Sequence, residues 1–132
     1  MARAELEKLA AMRDLMAPDV VYEETGTGRR YEGVEAVMDA LVQWKGAFPD
    51  AAGDIARVLI EDDTAVLEIC WRGTHTGPLR TAAQVIPASN QPIEVWATAW
   101  QRWSGGRLVA ERHHIDGLAM LVQIGAVPAP AH

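Results

Sequence analysis

Two adjoining runs decide the fold: Ile93-Glu94-Val95-Trp96-Ala97-Thr98-Ala99-Trp100-Gln101-Arg102-Trp103 and Arg107-Leu108-Val109-Ala110-Glu111-Arg112-His113-His114-Ile115, joined by Ser104-Gly105-Gly106. Each run reads as a strand, and the Ser-Gly-Gly break reads as a hairpin turn, so the C-terminal half is built on antiparallel pairing. Upstream, residues 66 to 75 alternate cleanly. Leu67, Ile69, Trp71, Gly73 and His75 share one face, and Val66, Glu68, Cys70, Arg72 and Thr74 share the other. The first set is the apolar one, so it is expected to look inward. A further strand is expected over residues 56 to 60, with a turn at Glu61-Asp62-Asp63. Gly77-Pro78 ends the alternating strand, residues 79 to 87 form a poorly periodic excursion, and Ser89-Asn90-Gln91-Pro92 is a turn.

The N-terminal half has a different period. Residues 4 to 16 read as a helix, ended by Pro18, because proline disfavours helical geometry in the residue before it. Val20, Val21 and Tyr22 form a short strand, Thr25 to Gly28 a turn, and Arg29 to Tyr31 a further extended piece. Val34, Val37, Met38, Leu41 and Val42 trace one face of a second helix that opens at Gly33 and closes at Phe48-Pro49-Asp50. Leu118, Leu121, Val122 and Ile124 mark a short last helix with Gly125 as its cap. Helices followed by a run of antiparallel strands make an α+β fold, a curved antiparallel sheet with helices on one face. One domain over residues 1 to 127 is expected, with 128 to 132 as a frayed tail.

Composition narrows the function. The chain has 132 residues, 49% of them hydrophobic, with a formal net charge of −6. That acidity argues against nucleic acid and anionic membranes as partners, since both require a basic patch. A single cysteine, Cys70, excludes an internal disulfide, and no Cys/His spacing suggests zinc. No signal peptide or membrane-spanning run is recognisable. A soluble cytoplasmic protein is the expectation. Phosphate-cradling glycine loops and a GxSxG elbow are also missing from the sequence.

Three features could carry chemistry. In Glu111-Arg112-His113-His114-Ile115-Asp116, strand alternation puts His114 and Asp116 on one face with Arg112, while Glu111 and His113 face away; a bulge that slips the strand by one residue would exchange His113 for His114. An imidazole beside a carboxylate is a natural acid/base pair, although an Asp at that place also fits a helix cap. Of the five tryptophans, Trp96 and Trp100 share a face of the long strand, and Trp71 shares one with His75. Aromatic walls suit a flat apolar ligand, as they also suit a core. Small and hydroxylated residues in Trp71-Arg72-Gly73-Thr74-His75-Thr76-Gly77 could bring backbone close to a ligand.

Four segments together resemble the SnoaL-like polyketide cyclases, within the wider group that shares the fold of nuclear transport factor 2 and ketosteroid isomerase. They are Val20-Val21-Tyr22-Glu23 with Gly28 to Gly33; Ala47-Phe48-Pro49-Asp50; Trp71 to Gly77; and Gly106 to Glu111 through His114, Asp116 and Leu121 to Ala126. The resemblance implies a cone-shaped sheet wrapped around helices, with an internal pocket at its open end. It implies a cofactor-independent intramolecular aldol condensation on an aromatic polyketide-type ester, with Asp116 as general acid/base and no metal. On that reading His114 or His75 orients the aspartate or stabilises the enolate. Trp71, Trp96 and Trp100 line the pocket, and Arg102 is a further polar candidate. The chain departs from the family pattern at Ile115, where an aromatic residue often precedes the aspartate, and over residues 79 to 87. Alternatives on the same fold are epoxide hydrolysis, isomerisation or hydroxylation, or a non-catalytic binding module. A homodimer or higher homo-oligomer is expected, through the open face of the sheet at Val66, Cys70, Val95 and Trp103.

Overall fold

The computed structural model describes residues 3–129, so part of the expected tail, residues 130–132, lies outside the described residues. The chain runs α1 (Arg3–Asp14), β1 (Met16–Glu24), β2 (Arg29–Glu32), α2 (Val34–Ala47), β3 (Ala52–Glu61), β4 (Thr64–Thr74), β5 (Leu79–Arg80), β6 (Val85–Ile86), β7 (Pro92–Ser104), β8 (Arg107–Ile115) and α3 (Gly117–Gln123). Six strands form one sheet in the order β2-β1-β8-β7-β4-β3. The long β7–β8 hairpin sits at its centre, with Gly105 and Gly106 both at positive φ in the turn.

Two expectations need correction. The sheet is mixed, because β1 runs parallel to β8 while the other neighbouring strands in it are antiparallel. The first helix is also shorter than expected, with Met16 and Pro18 inside β1. Proline's fixed φ suits an extended strand, and its missing N–H falls where the β1–β8 register shifts, between Met16 and Val21.

The helices cover the inner face of the sheet. β7 places Ile93, Val95, Ala97 and Ala99 on that face, all buried. Phe48, Ala47, Met120 and Ile124 close one half of the core over Ile93 and Val95. Leu9, Met16, Val20, Val37 and Met38 close the other half beneath α1 and α2. The two halves meet around Trp44, Trp71, Tyr22 and Ile115, and there the packing leaves space.

Residues 79 to 86, expected as an excursion without period, form a small β5–β6 hairpin with Leu79 opposite Ile86. Gly77 seats this flap against the end of α2. Its N–H donates to the Ala47 carbonyl at 3.2 Å. A Cβ there would stand 1.9 Å from the Gly46 carbonyl oxygen, so only glycine allows the approach.

Candidate active site

Two adjoining spaces lie between the sheet and its helices. The outer one is a cavity of about 440 Å³ walled by α2, the β1–β2 turn, the β5–β6 flap and α3. The inner one, of about 130 Å³, lies deeper, against β8, β4 and β1. Glu24, Ala40, Trp44 and Ile115 line both, so they stand between the two. The β1–β2 turn lies close against β8 because Gly26 has no side chain. A Cβ at Gly26 would be 2.5 Å from the Ile115 carbonyl oxygen.

The inner space carries the polar chemistry. Inward alternation on β8 selects Glu111, His113 and Ile115. Trp71 Nε1 can only donate, and it points at His113 Nε2 from 3.2 Å. That bond makes Nε2 the acceptor and leaves the proton on Nδ1, which lies 3.1 Å from Glu111 Oε2. The other Glu111 oxygen accepts from Gln101 Nε2 at 2.6 Å, and Gln101 Oε1 accepts from Trp103 Nε1 at 3.1 Å. A continuous chain Trp71–His113–Glu111–Gln101–Trp103 therefore fixes the imidazole tautomer and orientation.

Tyr22 stands beside this chain, its ring centroid 6.0 Å from that of His113. Burial, reinforced by the Glu24 and Glu111 carboxylates, pushes its phenol well above the usual range. Tyr22 thus stays an O–H donor and gives that proton to Glu24 Oε2 at 3.1 Å. Glu24 Oε1 accepts from Thr27 Oγ1 at 3.0 Å. The site is an imidazole–carboxylate pair in an aromatic-walled space, with an indole N–H and a phenol close by. Such a set can take a proton from carbon and return it to oxygen. Among the described residues no group of three or more His, Cys, Asp or Glu could hold a metal ion.

The structure brings few of the sequence-derived candidates together. Trp71 lines the inner space. His114, expected on the pocket face, is exposed on the outer side, its Nδ1 3.0 Å from Thr25 Oγ1. His113 is the inward member of the pair, 6% exposed. Trp96 and Trp100 are each 51% exposed on the outer face and do not line either space. Arg102 is exposed on that same face, in a shallow groove with Trp100 and Arg112. Asp116 is exposed and caps α3, accepting from the Ala119 N–H at 3.0 Å through Oδ1, while its neighbours Ile115 and Gly117 line the outer cavity.

His75 is fully buried outside both spaces, its ring 5.5 Å from that of Phe48. Its Nδ1 accepts from the Ser89 N–H at 3.1 Å, and its Nε2 has no partner among the described residues. Of the residues expected to face outward for association, two are buried: Val95, 1% exposed, because its parity on β7 is the inner one, and Cys70, 2% exposed.

Sequence reasoning placed Glu111 and His113 on the opposite face of β8, with His113 as the residue a one-residue slip would bring inward, and passed over Tyr22, Glu24 and Trp44. One signal was available. On β7 the odd positions from Ile93 to Ala99 are all apolar, while the even ones include Glu94 and Arg102. Carried across the hairpin register, Ala99 opposite His113 and Gln101 opposite Glu111, that count selects the inner face of β8.

The same architecture recurs in solved structures. A proposed SnoaL-like polyketide cyclase from Jannaschia sp. CCS1 superposes with a TM-score of 0.80 at 22% identity, covering 91% of this chain and 80% of that one. IdmH from Streptomyces antibioticus, a proposed polyketide cyclase, gives 0.74 at 24% identity, covering 91% and 88%. TsrD from Streptomyces laurentii gives 0.74 at 21% identity, covering 96% and 99%. At these identities the likeness shows the shared cone-like α+β fold. No curated protein matches the chain by sequence. The sequence profile of the SnoaL-like polyketide cyclases does match, over residues 2–124, and with nearly the whole length covered the chain belongs to that family.

Proposed function

We propose that the protein is a cofactor-independent cyclase that closes a ring on an aromatic polyketide-type substrate by intramolecular aldol condensation, with His113, held by Glu111, as its acid/base group. The observation that carries this reading is the His113–Glu111 pair in the inner space of about 130 Å³, which shares Glu24, Ala40, Trp44 and Ile115 with the adjoining cavity of about 440 Å³. The flat ring system rests in the outer cavity beside Trp44, and the reacting end reaches the inner space. There His113 Nε2 takes a proton from a methylene flanked by carbonyls. The resulting enolate carbon attacks the ketone carbon, a carbon–carbon bond forms, and the carbonyl π pair becomes an alkoxide. The imidazolium returns the proton to that alkoxide, so product and substrate have equal mass. The Trp71 N–H first leaves Nε2 for the substrate carbonyl that becomes the enolate, which frees the lone pair that takes the proton. Glu111 stabilises the imidazolium and keeps the ring aligned.

Asp116 is the second assignment for the acid/base role. It is favoured by the family resemblance and by one observation: Oδ2, the oxygen not used in the cap, has no hydrogen-bond partner among the described residues, and both chain neighbours line the cavity. Turnover of an anthraquinone polyketide bearing an activated methylene and a ketone, followed by product mass, decides between them. His113→Gln and Glu111→Gln should lower kcat by roughly 10²-fold or more, with Asp116→Asn within a few-fold of wild type. Full activity in His113→Gln together with loss in Asp116→Asn would transfer the role to the aspartate. A product heavier by one water would replace cyclisation with hydrolysis.

A further inference from the structure

The mouth of the outer cavity carries charges that ring closure does not use. Its charged lining residues are Glu24, Arg29 and Arg80. Two cations against one anion leave a local excess of +1 in a chain whose net charge is −6. Glu24 is engaged by the Tyr22 and Thr27 hydroxyls, and among the described residues no ion pair joins it to either arginine. Arg29 donates to the Tyr31 hydroxyl at 3.4 Å and to the Arg80 carbonyl. These bonds use two of the five guanidinium N–H donors and tie the flap to β2. The Arg80 guanidinium has no hydrogen bond or ion pair among the described residues. Elsewhere Arg13, Arg30, Arg72 and Arg112 each meet a carboxylate. Arg57, Arg102 and Arg107 also meet none, but they do not line this cavity.

Two guanidinium groups without carboxylate partners, lining a mostly apolar cavity whose one anion, Glu24, is held by hydroxyls, match an anionic oxygen pair in charge and in planar geometry. We infer that Arg29 and Arg80 bind the anionic end of the substrate, so that the protein takes an aromatic carboxylic acid in preference to its ester. This rests on the cavity being the substrate site of the proposed cyclase, and it specifies the substrate's charge. The aromatic body lies against Trp44 and Leu121, and the carboxylate reaches the flap.

The test is a titration of the full chain with anthraquinone-2-carboxylate and with its methyl ester, followed by quenching of tryptophan fluorescence and by calorimetry. At low salt the acid should bind about tenfold more tightly than the ester. In Arg80→Gln the two should bind within about twofold of each other, and rising salt should narrow the wild-type gap in the same way. This variant breaks no hydrogen bond or ion pair of the Arg80 side chain among the described residues, and circular dichroism checks that it is folded. Equal binding of acid and ester by the wild type would overturn the inference, as would a preference untouched by Arg80→Gln. Displacement of the probe by pantetheine 4′-phosphate where benzoate fails would also overturn it, assigning the arginines to a carrier phosphate. An acid preference without turnover would remove the cyclase reading alone. Turnover dependent on His113 but indifferent to substrate charge would remove only this inference.

Discussion

His113 and His114 are consecutive on β8, and the fold gives them opposite surroundings. His113 is buried, held between the Trp71 indole and the Glu111 carboxylate in the inner space. His114 is exposed, and its ring meets only the Thr25 hydroxyl among the hydrogen bonds described. Strand alternation alone produces the difference, and the same alternation runs through the sheet. Ile93, Val95, Ala97 and Ala99 pack inward on β7, while Trp96 and Trp100 stand half-exposed on the other side. Residue type is therefore a poor guide to burial here. On β7 small alanines occupy the inner face at positions 97 and 99, while Trp96 and Trp100 stand outside.

The comparison is broken most severely by exchanging the two histidines' roles. His113→Gln should cost roughly two to four orders of magnitude in kcat, and His114→Gln should change it less than about twofold. Steady-state turnover of the same anthraquinone polyketide reads both. Next come the two faces of β7. Ile93→Ala should lower stability by about 2–5 kcal/mol, the range for deleting a large buried aliphatic side chain, measured by urea unfolding. Trp96→Ala should stay within about 1 kcal/mol, since the indole is already half in water.

The cap is a smaller effect. Asp116→Ala should cost about 1 kcal/mol by removing the acceptor for the Ala119 N–H, with most activity retained. His75 sharpens the picture through pH. Burial holds its folded pKa below the ordinary histidine value of 6.5. A second proton would also sit on Nδ1 and break the bond from the Ser89 N–H. The unfolded chain binds that proton more readily, so stability is full above pH 6.5 and declines as pH falls below it toward the folded value. Urea midpoints between pH 7.5 and 5 should fall less in His75→Gln than in wild type. The smallest effect concerns association. Homo-oligomers are expected to form through the outer face, and Trp100→Glu should lower the mass seen by light scattering without changing the circular dichroism. An unchanged mass would leave that face unpaired.

Much of the fold was legible in the chain. The β7–β8 hairpin, α2 and the inward set on β4 follow from periodicity that local sterics enforce. The parallel pairing of β1 with β8 was not legible, because no local signal tells a strand which distant neighbour it will join. The flap was also missed, since two-residue strands carry too little pattern to be read.

The candidate site divides along the same line. The residues of the His113 segment, and the presence of an imidazole and carboxylates within it, belong to the sequence alone. So do the tryptophan richness, the acidity and the family membership. Which histidine faces the cavity was decided by hairpin register, since a displacement of one residue exchanges every inward side chain for an outward one. The removal of Asp116 from the cavity lining was decided by the start of α3, whose free N–H groups recruit its carboxylate. Tyr22 and Glu24 come from β1, Arg29 from β2, Trp71 from β4 and Arg80 from β5. Only the packing of α2, the β1–β2 turn and the flap over one face of the sheet makes them neighbours, because contacts between distant segments are settled by the shape of the whole core.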